Sequence, residues 1–166
     1  MTTLVVYETM YGCTRDVARS IAAGCEAAGP AQAVEVSELV GGTVPALPDG
    51  VTLLVVGGPT HAFGMSRPGT RRDAAAYGTV VSRTGVREWL ERVTLPEGLP
   101  VAAFCTKLDS PLSGSAARAI AHRLRRLGGR LVVPPKDFHV HGTRPVLHDG
   151  EVDAARAWGA ALVAGR

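Results

Sequence analysis

Val5-Val6-Tyr7-Glu8-Thr9-Met10-Tyr11-Gly12-Cys13-Thr14 is the stretch whose reading decides the fold. An apolar run from Leu4 to Tyr7 stops abruptly in polar, small and glycine residues. A helical pattern follows at once, with Val17, Ile21 and Cys25 at four-residue spacing. The order is strand, loop, helix. A helix that starts at the carboxyl end of a strand aims unpaired N–H groups and the positive end of its dipole at the loop, which suits a phosphate. Thr9 and Thr14 add hydroxyl donors, and Gly12 lets the backbone curl around an anion. The same residues also read as an ordinary strand–helix connection with a threonine cap.

Working outward, the pattern repeats. A helix over 14–28 stops at Gly29-Pro30, and residues 33–36 form a short second strand. Residues 41–50, rich in Gly and Pro, read as a loop. The β-branched and leucine run at 51–56 predicts a strand covered on both faces. After it come a short helix near 71–77 and a helix over 85–93. A fourth buried strand at 100–104 is followed by a helix capped by Ser113 or Ser115, with Ala116, Ile120, Leu124 and Leu127 on one stripe. Residues 131–133 predict the fifth strand, and the segment with Pro134, Pro135, His139, His141, Gly142 and Pro145 a loop. A helix over 149–164 closes the chain. Strands alternating with helices predict a parallel sheet with helices on both faces, in a single domain spanning 1–166.

The bulk properties narrow the classes. Hydrophobic residues make up 46% and charged residues 20%, a globular composition. No apolar run approaches the roughly 20 residues of a membrane span. Met1-Thr2-Thr3 leads straight into a strand without a basic segment or cleavage site, so a cytoplasmic location is expected. Cys13, Cys25 and Cys105 are odd in number and lack a CxxC, which argues against a disulfide framework and a structural zinc site. A formal charge of +3 favours an acidic partner, but with 5% aromatics the chain does not read as a nucleic-acid binder.

In doubly wound sheets ligands bind beyond the carboxyl ends of the strands, where strand order reverses. Loops 8–14, 58–65 and 105–115 leave strand ends there. The first carries neither GxGxxG nor GxxxxGK[ST], so it fits one phosphate rather than a dinucleotide or triphosphate. Its residues Thr9-Met10-Tyr11-Gly12-Cys13-Thr14 match the hydroxyl-rich T/S-x-x-G-x-T loop, and Gly57-Gly58-Pro59-Thr60-His61-Ala62-Phe63-Gly64 a flavin-ring loop, of the flavodoxin family. Nearly the whole chain resembles that family in strand–helix order. The resemblance implies a five-stranded parallel sheet in the order 2-1-3-4-5 and an FMN-binding electron-transfer protein working between a reductase and an acceptor.

Residue by residue, it implies that Thr9, Gly12 and Thr14, with the N–H groups of Met10, Tyr11 and Cys13, hold the FMN phosphate. Pro59, Thr60, His61, Ala62 and Phe63 would border the ribityl chain and one ring face. Cys105, Thr106 and Lys107 would form the second ring loop. That loop departs from the family, which places a stacking tyrosine there, whereas residues 105–115 hold no aromatic. Arg67, Arg71, Arg72 and Lys107 near the ring loops would stabilise an anionic reduced flavin, so a potential less negative than that of an acidic flavodoxin is expected.

Other readings stay open. A small FMN-dependent oxidoreductase acting on a quinone or porphyrinogen would use the same loops, and a flavin-free binding or signalling domain could keep the fold alone. Cys13 to Arg19 matches the C-x5-R of low-molecular-weight phosphatases, although Thr14 to Ala18 already reads as helix. At a helix start, Cys13 could have a lowered pKa. His139, His141 and His148 invite a metal, without a carboxylate at ligand spacing. Arg118, His122, Arg125 and Arg126 fall on one helix face, either solvated or a docking surface for an acidic partner. No catalytic acid or base is identified.

Overall fold

Thr3–Tyr7 forms β1, and every residue in it is buried, as an apolar run covered on both faces requires. The computed structural model describes residues 1–40 and 47–165, so residues 41–46 of the expected 41–50 loop lie outside the described residues. Seven further strands follow among the described residues: β2 (Ala31–Glu35), β3 (Leu53–His61), β4 (Gly64–Met65), β5 (Pro100–Leu108), β6 (Arg130–Leu131), β7 (Lys136–His141) and β8 (Val146–Leu147). The helices are α1 (Cys13–Cys25), α2 (Pro68–Ala75), α3 (Val86–Leu90), α4 (Ala116–Arg126) and α5 (Glu151–Val163). β2, β1, β3, β5 and β7 lie side by side in that order and all parallel, which is the expected 2-1-3-4-5. β8 adds antiparallel to the β7 edge.

Two cores flank the sheet. Alternate residues of the central strands point to opposite faces, so Val5, Leu53 and Val55 meet α1 and α5, while Leu4, Val6 and Leu54 meet α3 and α4. On the α1/α5 side an aromatic series runs from Phe104 through Phe138 to Trp158, each pair edge-on with centroids 6.3 and 6.2 Å apart. Trp89 is fully buried in the opposite core.

The fifth parallel strand differs from the expectation at 131–133. Arg130–Leu131 pairs only the start of β5, and the ladder resumes at Lys136–His141. Pro134 and Pro135 lack the N–H a central ladder needs, so the chain bulges between the two pieces. Leu131 faces Val101 and Lys136 faces Phe104, five steps against three. His139 and His141 therefore stand on a strand rather than in a loop. β3 and β5 also outrun the expected 51–56 and 100–104, reaching His61 and Leu108.

Candidate functional site

Loop 8–14 joins β1 to α1 at the switch point, since the chain leaves β1 towards β2 on one side while β3 lies on the other. Gly12 is the N-cap of α1 in a left-handed conformation (φ 110°), and no side chain caps the helix. The threonine-cap reading is thereby corrected: Thr14 sits inside the first turn. Its hydroxyl pairs with that of Thr106 at 2.8 Å, and Thr9 Oγ1 accepts the Gly12 N–H at 3.0 Å. Both hydroxyls are already engaged. Each hydroxyl has one proton and two lone pairs, however, so Thr9 and one member of the Thr14–Thr106 pair keep a proton for a ligand.

A cleft of about 380 Å³ opens over this loop, within the range of small-molecule sites. Of the residues singled out in the sequence, Thr9, Met10, Tyr11, Cys13, Thr14, Pro59, Thr60, His61, Thr106 and Lys107 line it. Gly12 shapes the loop beneath it. Ala62 and Phe63 form the tip of the β3–β4 hairpin, outside the lining. Cys105 does not reach the cleft at all: it is fully buried within β5, because the strand runs three residues beyond it. Its thiol receives the Thr60 hydroxyl at 3.4 Å and donates to Asp137 Oδ1 at 3.2 Å, and burial pushes its pKa up to about 11. Cys105 thus fixes Thr60 from behind. Thr60 Oγ1 also accepts the Ala116 N–H at 3.1 Å, and Ser115 Oγ turns to Asp137 at 2.6 Å instead of capping α4.

Two walls were not legible in the sequence. α2 contributes Thr70, Asp73 and Ala74, and Tyr77 follows just beyond it. Tyr77 is thus an aromatic in the cleft, supplied from a different element than residues 105–115. The Tyr11 hydroxyl donates to the Ala74 carbonyl, locking α2 to the first loop. The other wall is the β7–β8 turn with Gly142, Thr143 and Pro145, where Cys13 Sγ donates to the Pro145 carbonyl at 3.0 Å and Arg144 Nε to the Tyr77 carbonyl at 3.0 Å.

The charges are arranged differently from the sequence expectation. Arg71 is buried and held by carboxylates rather than standing free beside the cleft. Its Nη2 meets Glu88 Oε1 at 2.6 Å and its Nη1 donates to Ser66 Oγ at 2.7 Å and lies 3.8 Å from Glu8 Oε1. Glu8, 1% exposed, accepts the Ser66 hydroxyl and, at 2.9 Å, the Val86 N–H. Burial raises the Glu8 pKa, against the pull of these donors and of Arg71. Burial pushes Glu88 up more than any other single cause, but the hydrogen bonds and charge of Arg71, together with backbone hydrogen bonds at Gly85 and Glu88, hold it below the ordinary value. A single lone carboxylate after β1 thus ties the hairpin, α2 and α3 to the cleft floor. Lys107 remains in the cleft, with Asp137 Oδ2 3.8 Å away. Arg67, the N-cap of α2, and Arg72 within it are exposed.

Burial, then Arg71, lower the His61 pKa, so this imidazole favours the neutral form. Burial, then the Asp16 carboxylate, raise that of Cys13, the opposite of an activated nucleophile. The helix already begins at Cys13, which leaves no loop to carry Arg19 round a phosphate. The fold brings Glu151 to His139 at 3.5 Å and His148 against His141, with centroids 5.2 Å apart. Among the described residues no group of three or more His, Cys, Asp or Glu is placed to hold a metal ion. Among them, too, no helix is long and apolar enough to cross a membrane.

Comparison with solved structures agrees with this topology. Flavodoxin 1 from Bacillus cereus superposes with a TM-score of 0.69 at 14% identity, covering 100% of this chain and 99% of that one. A flavodoxin from the domain Archaea gives 0.67 at 18% identity, covering 98% and 96%. A flavodoxin, WrbA-like protein from Agrobacterium tumefaciens gives 0.62 at 18%, covering 98% and 94%. No protein-family model and no curated protein matches the chain. The chain has the flavodoxin-like fold.

Proposed function

We propose that the chain binds FMN in this cleft and carries electrons between a reductase and an acceptor protein. The observation that supports this best is the meeting, at the β1/β3 switch point, of an uncapped helix start, a hydroxyl-rich loop and an apolar slot with an aromatic wall. The phosphate would lie on the first turn of α1, accepting hydrogen bonds from Thr9 and the Thr14–Thr106 pair and from the N–H groups of Met10, Tyr11 and Cys13. Pro59, Thr60 and His61 would border the ring on one side. Tyr77 is an aromatic available to stack on it, since the Tyr11 hydroxyl is tied to Ala74.

Bound FMN supplies the redox chemistry; the chain supplies the cradle, packing and electrostatics. Lys107 favours negative charge on a reduced ring, and Asp137 offsets part of that effect. Of the four cations expected near the ring, Lys107 is therefore the one that raises the potential. Neutral His61 offers a hydrogen bond without adding charge. The protein, purified without added cofactor, should be yellow and release FMN on denaturation. Colourless protein that takes up no FMN would contradict the proposal. Oxidation of NAD(P)H by the protein alone would favour an oxidoreductase over a carrier.

A further inference from the structure

α4 is basic along its exposed side and contains no acidic residue. Arg118, His122, Arg125 and Arg126 are all exposed, and their spacing puts them on one stripe. Arg123 pairs with Glu91 at 3.2 Å, whereas Arg118, Arg125 and Arg126 have no carboxylate partner among the described residues.

The stripe starts at an apolar edge. The β3–β4 hairpin turns through Ala62 and Phe63, both left-handed at φ 44° and 72°. That conformation is costly without glycine, and here it leaves Phe63 72% exposed. Phe63 bridges to Gly114, where a Cβ would overlap the Phe63 carbonyl, so the hairpin tip is seated on the loop leading into α4. Leu112, two residues before Gly114, is 79% exposed. An apolar tip and a cationic stripe are thus neighbours at the rim of the cleft.

We infer that this edge docks an acidic electron-transfer protein, which lays carboxylates along α4 and an apolar contact on Phe63 and Leu112. The inference rests on the flavin reading above and names its partner class. Charge complementarity selects an acidic surface, and one helix face with two loop tips has the small scale of transient redox contacts, below roughly 1,200 Å². A nucleic acid would match the cations but offers its phosphates no use for Leu112. A bilayer receiving the loop tips would lie across the carboxyl edge of the sheet. Arg125 and Arg126, about 10 Å further down the helix at 1.5 Å per residue, would then stand clear of it.

The test titrates the FMN-loaded full chain with an acidic plant-type [2Fe–2S] ferredoxin, following chemical shifts and Kd. Shifts should cluster on 112–126 and Phe63. Affinity should fall at least about tenfold between about 10 mM and about 0.15 M salt, as the Debye length contracts from roughly 30 to roughly 8 Å. The triple variant R118E/R125E/R126E should lose at least about tenfold at low salt. R118Q/R125Q/R126Q should lose less, and both should keep the FMN affinity of the parent. A basic c-type cytochrome should not bind the parent. Unchanged ferredoxin affinity in both variants would overturn the inference. So would retention of duplex DNA or phosphatidylserine vesicles, lost in the variants, with no ferredoxin binding. FMN uptake is read separately: a chain that binds FMN but not ferredoxin loses the docking face alone, and one that binds no FMN loses the flavin reading.

Discussion

Replacing Arg71 with methionine keeps much of the side chain's volume and removes the cation that faces Glu8. The two groups lie 3.8 Å apart, and Glu8 is 1% exposed. At an effective dielectric of about 20, Coulomb's law gives roughly 4 kcal/mol for that separation. Breaking one side of a buried pair costs about 3–5 kcal/mol in general. Glu8 keeps its bonds from Ser66 and the Val86 N–H, so we expect a loss of about 2–4 kcal/mol at pH 8. The cost must depend on pH. Burial raises the Glu8 pKa in the folded state above its unfolded value. Its contribution is therefore complete below the unfolded value and is lost as pH rises through the folded one. Without Arg71 the folded value climbs further, so the loss deepens by up to about 1.4 kcal/mol per pH unit over a wider window. Glu88 works the other way. Its folded pKa is lowered, so the pair with Arg71 stabilises above the unfolded value and is lost on acidification through the folded one. Urea denaturation of both proteins at pH 5, 7 and 8.5 should show the largest difference at the highest pH, and Glu8→Gln should suppress that trend in a double-mutant cycle. A difference below about 1 kcal/mol at every pH, or zero coupling between the two sites, would refute the reasoning.

Three further outcomes follow from the same geometry. Thr14→Ala should weaken FMN binding about ten- to a hundredfold while circular dichroism stays native, because hydrogen bonds to charged groups are worth roughly 1.5–3 kcal/mol; unchanged affinity in a fluorescence titration would mean the loop is misread. Tyr77→Ala should cost about two- to tenfold in FMN affinity, with recovery in Tyr77→Phe, if the ring stacks there. Gly159→Ala should lower the melting temperature, since a Cβ would overlap the Ile21 carbonyl where α5 crosses α1. The clash of about 1–3 kcal/mol exceeds the gain in helix propensity of roughly 1 kcal/mol; a rise in scanning calorimetry would show that the helices part freely.

The parallel order and the first loop were legible because apolar runs such as Leu4 to Tyr7 and Leu53 to Val56 have one physical use, in a strand with both faces covered. The fifth strand was not, because Pro134-Pro135 splits its ladder and the alternation of Lys136 to His141 reads as loop next to two prolines. Cys105 was placed in a loop because polar Thr106 and Lys107 mimic a strand end, while β5 continues to Leu108. Asp73 on α2 and Tyr77 just beyond it come from a stretch whose sequence has no strong period, and the Tyr11 contact with Ala74 ties that stretch to the cleft. Glu8 did carry a signal that could have been used: a lone carboxylate hard against a buried strand needs a cation, and Arg71 is that cation. No local pattern links two residues so far apart in sequence. Nor could spacing show that Glu151 meets His139.

The most direct test of the central claim, that loop 9–14 on an uncapped helix start holds a phosphate, compares FMN with riboflavin in the same fluorescence titration. The two ligands differ only in the phosphate, and two or more charge-assisted bonds at roughly 1.5–3 kcal/mol each imply a preference for FMN of at least about a hundredfold. One-to-one FMN binding with that preference, collapsing towards the riboflavin value in Thr14→Ala, is the expected result. Equal affinity for the two ligands, or binding of neither, would contradict the account.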